Sequence, residues 1–312
     1  MSALSDLISA QGGNQSSGTG RSPGTPKKSW FASIFSGRNR FTLLTYPYIG
    51  WLIAMVVVPM LLIVFYAFTT AGNDVVMVHF TFDHFVNFLS DEKFMGVVGH
   101  SLLIAFITTM VCIVLGYPIA YIISRMRGNK SLILILLLTL PTWINMLVRT
   151  YAWMGILQKG GLLPNLLTLF GAEDKSLLYT DFAVMIGMVY NFLPFMILQI
   201  HSSLAKMDNS LLEAAADLGA NKVQSFLRVT LPLSLPGVVS GITLVFLPAV
   251  SSFFIPRMLG GGQYTLVGNL IEDRFLKGNW NFGSAVSLIM AIIMIFTMWL
   301  TRKLDFSNRK ES

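Results

Sequence analysis

Six long apolar runs alternate with shorter polar segments along most of this chain. They lie at about 45–68, 101–124, 131–156, 182–204, 237–256 and 284–301. A helix needs roughly 20 apolar residues to cross the hydrocarbon core of a bilayer, and each run has about that length. The pattern predicts an all-α polytopic membrane protein whose six transmembrane helices form one domain over 41–305.

The two ends of the chain lack this pattern. Residues 1–40 are rich in Ser, Gly, Asn and Pro, which predicts a disordered tail without a secretory signal. Within this tail, Trp30, Phe31 and Ile34 share one helical face beside basic residues. This arrangement fits an interfacial helix on an anionic membrane as well as it fits an unstructured basic tail. Residues 306–312 are predicted to form a short cytoplasmic C-terminal tail.

Composition and charge support a membrane protein and predict its orientation. The chain is 54% hydrophobic and only 12% charged, whereas about a quarter of the residues in a soluble domain are charged. Lys and Arg are concentrated in the N-terminal tail, 125–130, 205–236 and the C-terminus. Because cytoplasmic loops carry the excess of these residues, both termini and the 205–236 loop are predicted to be cytoplasmic. The same distribution explains the net charge of +7. Membrane lipid, not nucleic acid, is therefore the expected partner of these basic residues.

Acidic residues are absent from the predicted spans and exceed basic residues in the predicted outer loops. An acidic outer surface suits a cationic solute or a basic docking protein, although the positive-inside bias alone also explains it. Carboxylates inside the membrane are the usual parts of proton or sodium coupling. Their absence argues against an ion-coupled secondary transporter.

Four predicted spans carry a proline near the middle of the membrane. They are Pro59, Pro141, Pro194 and Pro248. A proline inside a helix frees a backbone carbonyl, and such groups are tolerated where they are buried in protein or line a wet cavity. Polar and aromatic side chains beside the last three prolines therefore predict a translocation path lined by Trp143, Asn145, Tyr190, Asn191 and Ser252. Hydrogen bonding between helices explains these residues equally well.

Arg149 lies near the outer end of the third predicted span. At 1.5 Å per residue it is about 27 Å from the inner start of that span. A guanidinium at this depth reaches water or an outer carboxylate at little cost. Arg149 is therefore predicted to be structural or to form part of an outer gate.

The 205–236 loop contains a polar stretch that predicts two short helices. Ser210 and Glu213 have the spacing of a capping box at a helix start, and Gly219 suits the C-terminal cap. Asn221 suits the N-terminal cap of the second helix.

Pro232 is expected to stop that second helix. Helices shorter than roughly 12–15 residues are marginal on their own, so the apolar faces of both require a packing partner.

This stretch resembles the EAA loop of the membrane subunits of ABC importers. The Glu-Ala-Ala at 213–215 is followed after three residues by Gly219. After nine more residues comes Val-Thr-Leu-Pro at 229–232, and the family has Ile where this chain has Val229. The resemblance implies a pair of coupling helices that dock into a groove of an ATPase. The residues implied at that contact are Glu213, Ala214, Ala215, Asp217, Gly219, Leu231 and Pro232.

Three further stretches resemble permeases of the PotB/PotH type from spermidine/putrescine ABC importers. They are LGYP at 115–118, PTWINMLVRTYAW at 141–153, and LPA through LGG at 247–261. The resemblance implies a type I ABC importer permease in a bacterial cytoplasmic membrane. It also implies a second permease of the PotC/PotI type, a dimer of ATPase subunits and an extracytoplasmic polyamine-binding protein. Related permeases for ferric iron, thiamine or phosphonate leave the solute open.

Signatures of catalysis are missing from the sequence. The four histidines lack metal-ligand spacing, no glycine-rich phosphate loop occurs, and Cys112 is the single cysteine. We therefore expect no metal, no bound cofactor and no enzyme activity, so that ATP would be hydrolysed on another chain. The alternatives from other classes are a stand-alone secondary transporter or channel, and a membrane scaffold.

Overall fold

The structure, a computed structural model, describes residues 37–70, 79–126, 128–171, 176–262 and 264–310. Within them the secondary structure is helical, apart from one isolated bridge between Thr69 and Phe80. The candidate interfacial helix around Trp30 lies outside the described residues. Residues 37–40, predicted to be disordered, are helical because they extend the first helix beyond its apolar run.

The described part of the chain divides into two compact units, with the boundary between Pro59 and Met60. In the first unit, α1 (Gly37–Leu52) is followed by a π-helical turn (Ile53–Val57). This wider turn lies immediately before α2 (Val58–Ala67), which carries Pro59 as its second residue. The helix therefore continues through the first of the predicted mid-membrane prolines, since the wider π-helical turn before Pro59 tolerates the missing N–H.

The second unit contains the remaining helices. They are α3 (Asp83–Ser90), α4 (Glu92–Ser124), α5 (Asn129–Thr139), α6 (Met146–Leu157), α7 (Leu162–Thr168), α8 (Asp181–Ala205), α9 (Ser210–Asp217), α10 (Lys222–Ser225), α11 (Leu231–Ser251), α12 (Phe254–Leu259), α13 (Val267–Leu276) and α14 (Trp280–Lys310).

Among the described residues, five helical segments are long and apolar enough to cross a membrane. They are Thr45–Ala67, Glu92–Ser124, Asp181–Ala205, Lys222–Ser251 and Trp280–Thr301. A sixth span is present if Asn129–Trp143 and Met146–Thr168, which are bent by 90° at their junction, count as one segment. These segments confirm the predicted all-α polytopic class.

The centre of the second unit is formed by α4, α8 and α11, which pack against one another. Met196 of α8 is buried between glycines of the other two helices. A Cβ on Gly116 of α4 would lie 3.2 Å from Cγ of Met196, and one on Gly241 of α11 would lie 2.5 Å from its Sδ. Small residues at these contacts let the helices approach closely, which is how helices associate in membranes.

The third apolar run, predicted as one continuous helix, is broken in the structure. After α5, residues Leu140–Trp143 form a 3-10 turn, and Ile144 and Asn145 have extended backbones with ψ of 141° and 132°. Pro141 lacks the N–H that an α-helix would need, and the Asn145 side chain accepts a hydrogen bond from Leu147 N at 2.8 Å, which starts α6 anew. The run therefore turns by 90°.

The fifth apolar run is also interrupted, because α11 ends at Ser251 and Ser252 is extended with ψ of 133°. The start of α13 supports this break. Asn269 Nδ2 donates to the carbonyl of Phe253 at 2.6 Å. A Cβ on Gly268 would lie 2.6 Å and 2.7 Å from the carbonyl oxygens of Ser251 and Ser252, so only glycine lets α13 begin there.

The N-terminal cap of α9 differs from the prediction. Ser210 is the first residue of the helix, not its cap, and its N–H donates to Asp208 Oδ1 at 2.9 Å. The predicted Ser210–Glu213 capping box is therefore wrong, because the preceding aspartate already accepts this backbone N–H. Hydrogen bonds from Ser210 also hold the pKa of Asp208 below its usual range.

The other two predicted caps of this loop are confirmed. Gly219 has a φ of +78° at the end of α9, and Ala220 N donates to Ala215 O at 3.0 Å across the turn. Asn221 and Gln224 form a capping box at the start of α10, with bonds of 2.8 and 3.0 Å.

Pro232 does not stop the second short helix, contrary to the prediction. α10 continues through a π-helical turn (Phe226–Thr230) into α11, and Lys222–Ser251 forms one segment of 30 residues. Pro232 lies just after the π-turn, where the wider backbone tolerates the missing N–H. The 205–236 loop is thus directly continuous with the fifth span.

Candidate functional site

The α9–α10 pair presents apolar side chains to the surroundings of the chain. Leu218 is 89% exposed and Val223 is 65% exposed, and the acidic Glu213 and Asp217 are exposed beside them. Gly219 is exposed between the two helices, with no heavy atom within 4 Å of where its Cβ would be. The sequence-predicted contact residues Ala214 and Pro232 are exposed, whereas Ala215 and Leu231 are half-buried. Two short helices with uncovered apolar residues form a surface that suits another protein.

Phe226 fixes this surface to the helical bundle. Its ring makes edge-on contacts with Tyr117 and Tyr121 of α4, at centroid distances of 5.8 and 5.5 Å. Tyr117 also hydrogen-bonds to Ser234 of α11 at 2.8 Å. The sequence did not predict a contact between these tyrosines and the 205–236 loop. Tyr117 nevertheless belongs to the LGYP stretch on which the family resemblance rests. The segment that follows α10 is therefore in direct contact with α4, which in turn is bonded to α11.

Three of the six residues predicted for the path or gate lie together between α6, α8 and α12. Arg149, Tyr190 and Asn191 line a cavity of about 10 Å³. The guanidinium carbon of Arg149 lies 6.0 Å from the centre of the Tyr190 ring, and Trp153 packs on that ring edge-on at 5.5 Å. Arg149 Nε is buried and has no hydrogen-bond partner among the described residues. A volume of this size holds about one water molecule.

The other three predicted path residues lie elsewhere. Trp143 is 80% exposed in the 3-10 turn before the break. Asn145 uses its side-chain oxygen to cap α6, and Ser252 lies in the break after α11. The 90° bend separates the directions of the two halves of the third run, so residues that would share one face of a straight helix no longer do.

A larger cavity of about 500 Å³ lies beside α9, between the end of α8 and the start of α11. Its polar lining consists of Gln199, Ser202, Ser203, Lys206, Asp208 and Ser240. Sequence reasoning did not single out this group, although Gln199, Ser202, Ser203 and Lys206 recur at helical spacing. One carboxylate, one ammonium and several hydroxyl groups can hold a small polar solute.

Two ion pairs lie at the opposite end of the bundle. Arg257 binds Glu272 at 2.7 Å, and Lys277 binds Asp273 at the same distance. Both pairs line a cavity of about 280 Å³. Two of the acids that made the predicted outer surface acidic are thus neutralised locally. No group of three metal-ligating side chains occurs within the described part of the chain.

Helices long enough to cross a membrane, polar cavities and an uncovered helical pair are together typical of a membrane transport component. Residues 113–310 match the family described as "Binding-protein-dependent transport system inner membrane component". The chain belongs to this family, so it is a multi-pass inner membrane permease and not itself an enzyme.

Curated relatives agree with this assignment. The chain is 40% identical over 280 residues to the spermidine/putrescine transport system permease protein PotB of Haemophilus influenzae, covering 87% of this chain and 97% of that protein. It is 39% identical over 250 residues to the PotB protein of Escherichia coli K12, and the match covers 79% of this chain and 90% of that protein. The resemblance to PotB-type permeases in the sequence is therefore confirmed.

Solved structures show the same fold. A bacterial ABC transporter involved in the import of the acidic polysaccharide alginate has a chain with a TM-score of 0.71 at 17% identity, covering 88% of this chain and 98% of that one. A chain of the MetNI methionine ABC transporter in an inward-facing conformation gives a TM-score of 0.53 at 18% identity. This match covers 70% of this chain and 99% of that one. The predicted type I ABC importer permease fold is confirmed.

Proposed function

We propose that this chain is the permease subunit of an ATP-driven, binding-protein-dependent importer of polyamines such as spermidine and putrescine. The observation that carries the proposal is the 40% identity to a curated spermidine/putrescine permease along 97% of that protein's length. Both termini and the 205–236 loop lie in the cytoplasm in this proposal, as the distribution of Lys and Arg predicts.

The proposed assembly contains a second permease of the PotC/PotI type, two ATPase subunits and an extracytoplasmic polyamine-binding protein. The uncovered Leu218 and Val223 support an ATPase contact, because exposed apolar groups on a polar helical pair gain free energy when a partner buries them. Glu213, Asp217 and Gly219 lie at the same surface. No cofactor is assigned to this chain, and ATP is bound and hydrolysed by the partner.

Transport proceeds by alternating access in this proposal. A loaded binding protein docks on the outer loops, and ATP binding closes the ATPase pair and displaces α9 and α10. Because α10 continues into α11 and Phe226 contacts α4, this displacement reaches both central helices. The solute passes Tyr190 and Asn191 under the control of Arg149. It leaves through the cavity that contains Asp208.

Uptake by the complete, reconstituted assembly tests this function. We expect ATP-dependent uptake of spermidine or putrescine that requires the binding protein, and no flux when this chain is reconstituted alone. Ferric ion, thiamine and a phosphonate serve as competing solutes in the same assay. Flux through the chain alone, without ATP, would show instead a secondary transporter or channel.

Leu218→Glu is expected to weaken association with the ATPase subunit at least about tenfold, because burying a leucine side chain contributes roughly 1.5–3 kcal/mol. Affinity is measured between the purified permease complex and its ATPase. Leu169→Glu is the matched control, since Leu169 is 82% exposed and lies at the opposite end of the bundle. Equal affinity of the Leu218→Glu variant and the wild type would rule out an ATPase contact at this residue.

A further inference from the structure

A polar cluster lies at the end of the bundle opposite the 205–236 loop, and the transport mechanism above does not use it. It joins Asp181 at the start of α8, His100 in α4, and Tyr264 in the segment before α13. His100 Nε2 is 3.5 Å from Asp181 Oδ1 and 3.4 Å from the Tyr264 hydroxyl. Burial, and then the neighbouring Asp181 carboxylate, raise the pKa of the Tyr264 phenol, which therefore stays protonated.

Two tyrosine rings enclose the adjacent glycine pair. A Cβ on Gly260 would lie 2.4 Å from Cγ of Tyr264, and one on Gly261 would lie 2.9 Å from Cδ1 of Tyr179. Both rings are therefore held against the same two residues. Tyr179 is 58% exposed and lies two residues before Asp181 in the chain. The exposed Tyr179 ring is thus held at the glycine pair that Tyr264 also contacts, and Tyr264 shares His100 with Asp181.

The backbone of Tyr179 is unusual, with a φ of +67°. It is the one residue other than glycine with a positive φ in the described part of the chain. This conformation costs free energy and is maintained by surrounding contacts, here a bond from Tyr179 N to Leu259 O at 2.8 Å. Glycine would occupy this position without strain, so the structure keeps a tyrosine side chain here at a cost.

The Asp181 carboxylate has no lysine or arginine partner among the described residues, in contrast to Glu272 and Asp273. Glu272 and Asp273 are paired with arginine and lysine, whereas Asp181 pairs within the described residues with a histidine, which is charged only when protonated. Its side chain is 63% exposed. A negative charge that is reachable and not neutralised by Lys or Arg attracts a cation.

We propose that Asp181, Tyr179 and Tyr264 form an entry site for one primary ammonium group of the transported solute. This inference rests on the proposed function, which supplies a solute with such groups. The carboxylate accepts charge-assisted hydrogen bonds from the ammonium, and the exposed aromatic ring adds cation–π attraction. The cluster offers too few ligating side chains for a transition metal, and its charge repels anions. From Asp181, the α8 helix leads to Tyr190 about 14 Å further along, at 1.5 Å per residue.

Binding of an amine to the full-length chain in lipid nanodiscs tests this site, with n-butylammonium and radiolabelled spermidine as probes. Asp181→Asn is expected to weaken binding of both at least about tenfold, because a hydrogen bond to a charged group contributes roughly 1.5–3 kcal/mol. Tyr179→Leu is expected to weaken binding several-fold, while Tyr179→Phe, which keeps the ring, retains it. Asp83→Asn removes a charge from an exposed residue of α3 and is expected to have no effect.

Uptake by the complete assembly separates this inference from the proposed function. Asp181→Asn is expected to raise the spermidine concentration at half-maximal uptake and to leave the maximal rate unchanged. If Asp181→Asn and Tyr179→Leu change neither spermidine uptake nor amine binding, the site is refuted and the proposed function stays intact. Weaker docking of the binding protein with unchanged amine binding would also refute it. Loss of n-butylammonium binding in Asp181→Asn would support the site even if the wild type transports no polyamine.

Discussion

Gly219→Asp is expected to leave the protein folded in the membrane and to stop ATP-driven uptake. Gly219 has a φ of +78°, a conformation that aspartate adopts more readily than most residues. No heavy atom of the chain lies within 4 Å of the new Cβ. The added carboxylate therefore meets no atom of this chain, although any side chain at this φ carries some backbone strain, and it projects into the surface proposed to meet the ATPase. Uptake and ATP hydrolysis by the complete assembly, together with the amount of variant in the membrane, provide the measurement.

Two control variants separate docking from backbone strain. Gly219→Asn adds a side chain of nearly the same shape without charge and is expected to retain more uptake than Gly219→Asp. Gly278→Asp makes the same change at a φ of +76°, also with open space around the Cβ, but at the opposite end of the bundle. Wild-type uptake by Gly219→Asp would contradict a coupling role, and equal losses at Gly219 and Gly278 would indicate strain.

Gly268→Ala is expected to lower the free energy of unfolding by about 1–3 kcal/mol, the usual cost of forcing an extra methyl group into a packed site. The new Cβ would lie 2.6 Å and 2.7 Å from two backbone carbonyl oxygens, which cannot rotate away as a side chain would. The start of α13 would have to move from the break that follows α11. The apparent Tm in detergent is expected to fall by several degrees.

Gly155→Ala is the matched control for this substitution. Gly155 lies within α6, and no atom is within 4 Å of its Cβ position. Alanine is expected to be neutral there or to stabilise the helix, because it restricts the unfolded chain more than glycine does. An unchanged Tm for Gly268→Ala would mean that the two helices tolerate a wider separation than their packing indicates.

The number and class of the membrane helices follow from the sequence because the length of an apolar run is set by the thickness of the bilayer. The breaks within those runs do not follow from it. Pro141 and Pro232 have the same local chemistry, yet one lies at a 90° bend and the other within a continuous helix. The difference lies in the neighbours, since Asn145 caps a new helix after Pro141 and a π-turn precedes Pro232.

The sequence predicts Arg149 near the outer end of its span and Tyr190 and Asn191 beside a mid-membrane proline, whereas the structure brings all three side chains to one cavity. Trp143 and Asn145 do not join them, because the bend lies between these residues and the rest of the cavity. The transport roles of all five remain predictions. The tyrosine partners of Phe226 had no signal of their own, since Tyr117 and Tyr121 lie in an apolar run, and an aromatic residue there does not reveal which helix it contacts.

The continuous helix from Lys222 to Ser251 has a length that bears on the proposed mechanism. Thirty residues at 1.5 Å each give a rod about 45 Å long. If this rod pivots about its inner end, a tilt of about 10° displaces its outer end by about 8 Å over that length. In the proposed mechanism the helix would then act as a lever arm, amplifying a small rotation imposed by the ATPase into a larger opening on the other side of the membrane.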